Sequence, residues 1–314
     1  MFLALGLLIL ILDGKTAYNG AVDGIELCLK TVIPALFPFF VISSALLRTS
    51  VSSTFLEKIS ASLFRMPRGV GSLLLPSFLG GYPVGAQSVH QMYTRGLLQK
   101  SEAERMLAFC SNAGPAFVFG VIGQMFPKPW MPWALWGIHL MGAWAAARCV
   151  PIDGTTVYQH DQSLASEENL MSSAVSTMGM VCGWIVFFRV LIAFLDRWCL
   201  WLLPQAARVA LIGMLELSNG CCELTRISDV PLRFLLCSAM LAAGGLCVTE
   251  QTISVTLGLS RRYYYFGKMI QMLVSLILSF CLMYWTPLPL LLFLPPLFWQ
   301  SCKKRCRNQI PSGV

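Results

Sequence analysis

The chain has 314 residues and a formal net charge of +8, with 56% hydrophobic and only 12% charged residues. Soluble domains carry about 25% charged residues, so this composition excludes an ordinary soluble domain. Mean hydropathy is +0.67. The apolar blocks approach the length of roughly 20 residues at which a helix crosses a bilayer, and they are too long for barrel strands. The sequence therefore predicts an all-α integral membrane protein whose apolar blocks are Thr31–Leu47, Met106–Phe126, Trp130–Ala147, Met171–Leu195, Phe234–Leu257 and Met269–Trp285.

The basic residues do not indicate a nucleic-acid-binding protein, because no soluble face gathers them with aromatic partners. The 12 cysteines form no CxxC pair, and most lie in apolar segments, where cysteine behaves as a small hydrophobic residue. His90, His139 and His160 form no cluster, and the chain contains no HExxH, GxSxG or P-loop motif. We therefore expect no metal, no other cofactor, no ATP use, no enzymatic activity and no nucleic-acid partner.

In chain order, the first feature is an apolar run, Met1–Leu12, with no basic residue before it. We expect it to be a short membrane segment and not a cleaved signal peptide, which normally opens with positive charge. A polar stretch in the middle of the chain then divides two halves. The predicted units are a short N-terminal membrane segment at 1–24, a first repeat at 25–150, a polar loop at 151–170, a second repeat at 171–300 and a basic C-terminal tail at 301–314.

Both halves contain the same order of segments: an apolar span, an interrupted segment, a charged turn, a span with a polar break, and a plain span. The interrupted segments, residues 70–93 and 208–224, are too polar at their centres to cross exposed to lipid. Re-entrant hairpins would bury these centres in protein. Each half then has three crossings, and an odd number inverts the second half relative to the first. The sequence thus predicts a multi-spanning helical bundle with two inverted repeats, each containing a re-entrant broken-helix hairpin, with a substrate site at the repeat interface.

The distribution of basic residues favours these hairpins, because cytoplasmic loops are rich in lysine and arginine. If both interrupted segments crossed the membrane fully, the basic residues would be divided more evenly between its two sides. The basic C-terminal tail lies on the cytoplasmic side only if Leu288–Trp299 forms a second short crossing, which the sequence leaves open. The hairpins put Arg48, Lys58, Arg65, Arg68, Arg95, Lys100, Arg105, Arg148, Arg261, Arg262 and Lys268 on one side, against Lys128, Arg197, Arg208, Arg226 and Arg233 on the other.

The helix breaks supply the candidate substrate-binding residues, because an interrupted helix exposes backbone N–H groups that attract anions. Glycine lets a substrate approach the backbone, and proline stops the helix from closing. The alternative for each break is an ordinary proline kink with small residues for helix packing. The candidates are Gly80, Gly81, Tyr82, Pro83, Gly85, Gln87, Ser88, Ser111, Asn112, Gly114, Pro115, Ser218, Asn219, Gly220, Gly244 and Gly245.

Two carboxylates, Glu216 and Glu250, lie deepest in the second half. Ionisable residues within a membrane are costly and usually face a cavity, so both are candidates for proton or ion coupling. Glu216 and Asn219 are three residues apart and share a helical face. The alternative role is a carboxylate that only joins helices by hydrogen bonds.

Three strings carry a family resemblance: VIPALFPFFVISSALL, LGGYPVGA and SEAERMLAFCSNAGPAFVFG. They resemble the YlbJ-type sporulation integral membrane proteins of endospore-forming bacteria, a family with the Gate, or nucleoside-recognition, domain. The resemblance covers residues 25–150 and, more loosely, the second half through MLELSNG. It implies the hairpin-bearing inverted repeat also found in concentrative nucleoside transporters.

The resemblance also implies a role in spore formation, the passage of dipicolinic acid across the outer forespore membrane. Dipicolinate is a flat ring with two carboxylates, which suits paired helix N-termini and amide or hydroxyl donors. The alternatives are a nucleoside or another small molecule as substrate, or a non-transporting scaffold of a sporulation membrane complex. The expected partners are the substrate, the lipid bilayer and a second copy in a homo-oligomer.

Overall fold

The computed structural model describes residues 2–48, 54–152 and 170–285, and all secondary structure in these ranges is helical. Short π-helical turns at Cys28–Val32 and Pro76–Gly80 join or interrupt the α-helices. The α-helices are α1 Phe2–Leu12, α2 Gly14–Leu27, α3 Ile33–Arg48, α4 Thr54–Phe64, α5 Val84–Thr94, α6 Lys100–Cys110, α7 Pro115–Gly120, α8 Trp130–Cys149, α9 Leu170–Trp198, α10 Gln205–Leu215, α11 Leu217–Glu223, α12 Val230–Ala243, α13 Gly245–Val255 and α14 Arg262–Tyr284.

Four segments are long and apolar enough to cross a membrane: Gly14–Ile42, Met171–Trp198, Val230–Val255 and Arg262–Tyr284. They confirm the predicted all-helical integral membrane protein. The first of them runs through α2, the π turn and α3 without a break, so the predicted unit boundary between residues 24 and 25 falls inside it.

Local sequence signals set several helix ends. The side chain of Asp13 accepts a hydrogen bond from the Thr16 backbone N–H at the start of α2, and Gln99 with Glu102 forms a capping box at the start of α6. Both arrangements satisfy N–H groups that have no partner within the helix. α12 ends at Gly244, whose φ of +75° is the left-handed conformation that glycine adopts without strain.

Small residues allow the long helices to pack closely. α2 and α3 lie against α9, while α14 lies against α6, α8 and α12. A Cβ atom on Gly267 of α14 would lie 2.2 Å from the Ala108 carbonyl oxygen of α6. Close backbone approach of this kind is typical of helix pairs in membranes. It brings α14, the last described helix, against elements of the first half.

Two apolar clusters lie at opposite ends of α8. One joins Phe64 and Leu98 to Ala147, near the C-terminal end of α8. The other joins Val209 and Leu224 to Met131, near its N-terminal end. Met131 and Ala147 are about 24 Å apart along the axis of α8, so these parts of the two clusters lie toward opposite ends of the helix.

Several sequence predictions fall on residues outside the described ranges. These are most of the polar loop at 151–170, the short crossing at Leu288–Trp299 and the basic tail at 301–314.

The structure corrects one residue in the predicted distribution of basic side chains. That distribution counted Lys268 among the basic residues on one side of the membrane. It lies within α14 with only 7% of its surface exposed, because this part of the helix packs against α6 and α8.

Candidate functional site

A small cavity lies where interrupted elements of both halves meet. Its lining includes Gly81 and Gly114 from the first half, and Glu216, Ser218 and Gln251 from the second. Its volume is about 40 Å³. A single buried water needs roughly 10–15 Å³, whereas small-molecule sites span about 300–1,000 Å³. The cavity therefore has room for water but not for a ring with two carboxylates.

The two breaks of the first half touch each other at this cavity. A Cβ atom on Gly114 would lie 3.0 Å from the Gly81 Cα atom. Gly81 has a φ of +78°, and the Gly81 carbonyl accepts a hydrogen bond from the Val84 backbone N–H. Glycine is required here because both the left-handed backbone and the close approach exclude a side chain. The interrupted segment 70–93 thus places its turn against the break between α6 and α7.

Glu216 forms the break between α10 and α11 and caps α11. Its carboxylate accepts hydrogen bonds from the backbone N–H of Ser218 at 2.9 Å and of Asn219 at 2.6 Å, and from the Asn219 side-chain amide at 2.6 Å. Only 2% of Glu216 is exposed. The sequence predicts that these N–H groups attract an anionic substrate. In the structure they are hydrogen-bonded to the carboxylate of Glu216, because Glu216 immediately precedes α11.

Behind Tyr82, a buried lysine joins the two halves. The ammonium group of Lys268 donates to the Tyr82 hydroxyl at 2.9 Å, to the Ser111 carbonyl at 2.5 Å and to the Gln271 side-chain oxygen at 3.2 Å. The Tyr82 hydroxyl in turn donates to the Leu241 carbonyl at 3.0 Å. Both breaks of the first half are therefore held by hydrogen bonds that involve α14 or α12.

A network of neutral polar groups continues from this lysine. Gln271 donates from its amide to the Asn112 side-chain oxygen at 3.1 Å, and the Asn112 amide donates to the Ser77 and Phe109 carbonyls. The Ala113 backbone N–H donates to the His139 ring nitrogen Nε2 at 3.0 Å. Asn112 and Gln271 are fully buried. These bonds satisfy backbone groups that the break between α6 and α7 leaves open.

The comparison with known proteins agrees with a membrane role. The chain is 22% identical over 324 aligned residues to the sporulation integral membrane protein YlbJ of Bacillus subtilis (strain 168), covering 87% of this chain and 79% of that protein. The similarity supports a YlbJ-type family assignment. It confirms the resemblance carried by the sequence motifs. No family model matches the chain, and no solved structure matches it.

The structure brings five of the predicted residues to the cavity: Gly81, Tyr82, Gly114, Ser218 and Glu216. Ser111 and Asn112 lie just behind it. The Ser111 hydroxyl lies 3.3 Å from the Thr252 hydroxyl, which joins the break between α6 and α7 to α13 of the second half.

The remaining predicted residues have structural contacts or lie away from the cavity lining. Gly85 and Gly220 pack against backbone, with built Cβ atoms 1.9 Å from the Cys110 oxygen and 2.1 Å from the Gly213 Cα atom. Ser88 donates to the Val84 carbonyl within α5, and Glu250 is half-buried in α13. Gly80 and Pro83 flank the turn, Pro115 begins α7, Gln87 accepts from Thr177, Asn219 donates to Glu216, and Gly244 and Gly245 form the break between α12 and α13.

Sequence reasoning missed Lys268, Gln271 and Gln251. The signal for the first two was a polar stripe along an otherwise apolar helix. Tyr264, Lys268, Gln271, Ser275 and Ser279 recur every three or four residues and are all buried. This spacing puts them on one face of α14. Among the described residues, no group of three or more histidine, cysteine, aspartate or glutamate side chains could hold a metal ion.

Proposed function

We propose that the protein is a secondary transporter that moves a small anion, dipicolinate, across the outer forespore membrane of a sporulating cell. One observation carries the proposal: interrupted helices from both halves converge on one small cavity. Transporters of the inverted-repeat type bind substrate at such a convergence of broken helices. The sporulation role comes from the name of the Bacillus subtilis relative.

The ends of the first interrupted segment support a hairpin that enters and leaves on one side. Phe64 precedes segment 70–93 and Leu98 follows it, yet both belong to the cluster at the C-terminal end of α8. The Arg65 guanidinium also donates to the Arg148 carbonyl at that end. A segment that crossed the membrane would put its two ends about 30 Å apart.

The two ends of the second interrupted segment, 208–224, also lie close together, near the N-terminal end of α8. The Gln205 side-chain amide donates to the Arg226 carbonyl at 2.9 Å, so the chain returns to where it started. Val209 and Leu224 pack with Met131 at the N-terminal end of α8. Two hairpins that enter from opposite sides and meet at their tips are the arrangement that inverted repeats produce.

Passage of dipicolinate requires the elements around the cavity to separate, because the cavity is too small for it. The tip of the first hairpin is joined to α12 by the Tyr82–Leu241 hydrogen bond, which would have to break for the tip to move. Opening toward one side and then the other would expose the cavity alternately. This gating is typical of transporters built from repeats.

Glu216 is the residue we assign to proton coupling. Glu216 is one of the residues that line the cavity, and a negative charge there repels an anionic substrate strongly at low dielectric. Protonation of Glu216 would remove this repulsion, so the anion and a proton would move together.

Uptake of radiolabelled dipicolinate into proteoliposomes tests the proposal. We expect saturable uptake by the wild type, stimulated by an inward proton gradient, and loss of that stimulation in Glu216→Gln. The exposed Glu26→Gln is the matched control and should behave as the wild type. Excess unlabelled uridine should not compete. Competition by uridine would indicate a nucleoside carrier, and no uptake by well-folded protein would favour the scaffold alternative.

A further inference from the structure

The most unusual charged group among the described residues is the ammonium of Lys268. It is 7% exposed and lies within an apolar helix long enough to span the membrane. No carboxylate of the described residues forms an ion pair with it. Burying an unpaired charge in a membrane protein is costly, so such a residue normally has a specific role.

The surroundings of this ammonium group are those of a bound cation. Its three N–H donors face three oxygen atoms: the Tyr82 hydroxyl, the Ser111 carbonyl and the Gln271 side-chain oxygen. The face of the Tyr82 ring lies nearby, with its centroid 4.7 Å from the nitrogen. Aromatic faces also attract cations. The oxygen shell is neutral and complete, so Lys268 has no donor left for an anionic ligand.

The position of the Lys268 ammonium within the fold is also typical of a cation site. Ser111 follows the last residue of α6, so its carbonyl lies at the negative end of that helix. In transporters with broken helices, unwound carbonyls and helix C-terminal ends coordinate the coupling sodium ion. Here the Lys268 side chain reaches from α14 and puts its ammonium at such a place.

We propose that Lys268 is a tethered cation that fills an alkali-cation site between the tip of segment 70–93, the end of α6 and α14. The protein therefore needs no sodium or potassium to hold these three elements together. This proposal deepens the proposed transport function, because the role of Lys268 in ion coupling rests on that function. The site itself is measurable without any substrate.

Removal of the tethered cation should make the protein depend on a free one. In detergent, we expect the thermal unfolding midpoint Tm of the wild type to be equal in sodium, potassium and choline chloride at equal ionic strength. Lys268→Ala empties the oxygen-lined site, so its Tm should be lower in choline chloride. Sodium or potassium should then raise it by about 3 °C or more, as expected for a ligand that binds only the folded state.

Two control variants separate this effect from simple loss of charge. Lys268→Met fills the same space with an apolar chain, so its Tm should be lowered and should not respond to sodium or potassium. Lys128→Ala removes an exposed lysine and should behave as the wild type. A Tm of Lys268→Ala that does not respond to either cation would overturn the proposal.

The wild type provides a second test if Lys268→Ala does not fold. We expect no saturable binding of radiolabelled sodium to the purified wild type and no effect of sodium on its Tm. Saturable sodium binding by the wild type would contradict a site already filled by Lys268. Neither readout depends on dipicolinate, so a failure here can be distinguished from a failure of the transport proposal.

Discussion

The Lys268 ammonium donates to the Tyr82 hydroxyl at 2.9 Å, although 186 residues separate the two in the chain. Tyr82 lies at the turn of the first interrupted segment and lines the cavity, while Lys268 belongs to the last described helix. One wall of the cavity is therefore fixed by a bond between the two halves. A change at either residue should be felt at the cavity.

Tyr82→Phe tests how much this contact stabilises the fold. The substitution keeps the ring but removes an acceptor for Lys268 and the donor to the Leu241 carbonyl. Leaving buried polar groups unpaired costs about 1–3 kcal/mol for each group. We expect the Tm in detergent to fall by several degrees. Tyr18→Phe, at an exposed tyrosine, should leave the Tm unchanged, and equal values for both variants would argue against the contact.

Asn112→Ala should destabilise the break between α6 and α7. Its amide donates to the Ser77 and Phe109 carbonyls and its oxygen accepts from Gln271, so three buried groups lose a partner. We expect a loss of at least about 2 kcal/mol in the free energy of unfolding. The exposed Gln124, which bonds only within its own turn, provides the control, and Gln124→Ala should cost less than about 0.5 kcal/mol.

Gly85→Ala tests the close approach of the first interrupted segment to α6. The added Cβ atom would lie 1.9 Å from the Cys110 carbonyl oxygen, and backbone cannot move away easily. We expect a loss of about 3 kcal/mol or a failure to fold, measured as the yield of monodisperse protein and its Tm. Gly137 of α8 has no atom within 4 Å of a built Cβ, so Gly137→Ala should fold normally. Normal stability of Gly85→Ala would show that the two elements lie farther apart.

The proposed hairpins predict which positions share a membrane face. Single cysteines at the exposed positions Arg68 and Arg95 should react with an impermeant thiol reagent from one side of oriented vesicles. Cysteines at Gln205 and Ser228 should react from the other side. A background in which the native cysteines are replaced is needed for this experiment. Labelling of positions 68 and 95 from opposite sides would mean that segment 70–93 crosses the membrane.

Much of the fold could be predicted from sequence because membrane helices carry local signals. Apolar length predicted the segments of membrane-spanning length in the second half, Met171–Trp198, Val230–Val255 and Arg262–Tyr284. Glycine, proline and polar residues predicted the interruptions at Gly81, Gly114 and Gly244. These signals act over one or two helical turns. Glu216 was identified as a buried carboxylate for the same reason, since a charged residue between apolar helices is conspicuous.

Lys268 could not be placed in the same way, because its burial depends on contacts between distant parts of the chain. It follows Arg261 and Arg262 closely, so its local context resembles the end of a loop. Only the packing of α14 against α6, where Gly267 meets Ala108, buries this part of the helix. The partners of Glu216 were also unpredictable in detail, since capping of α11 depends on the backbone turn at residue 216.

The most direct test of the account is the accessibility of the cavity itself. Ser218 lines it and can be replaced by cysteine in a background without the native cysteines. We predict that a cysteine at position 218 reacts with an impermeant thiol reagent from either side of oriented vesicles, and that dipicolinate slows both reactions. A well-folded Ser218→Cys protein that reacts from one side only, or at a rate unaffected by dipicolinate, would contradict a transport path through this cavity.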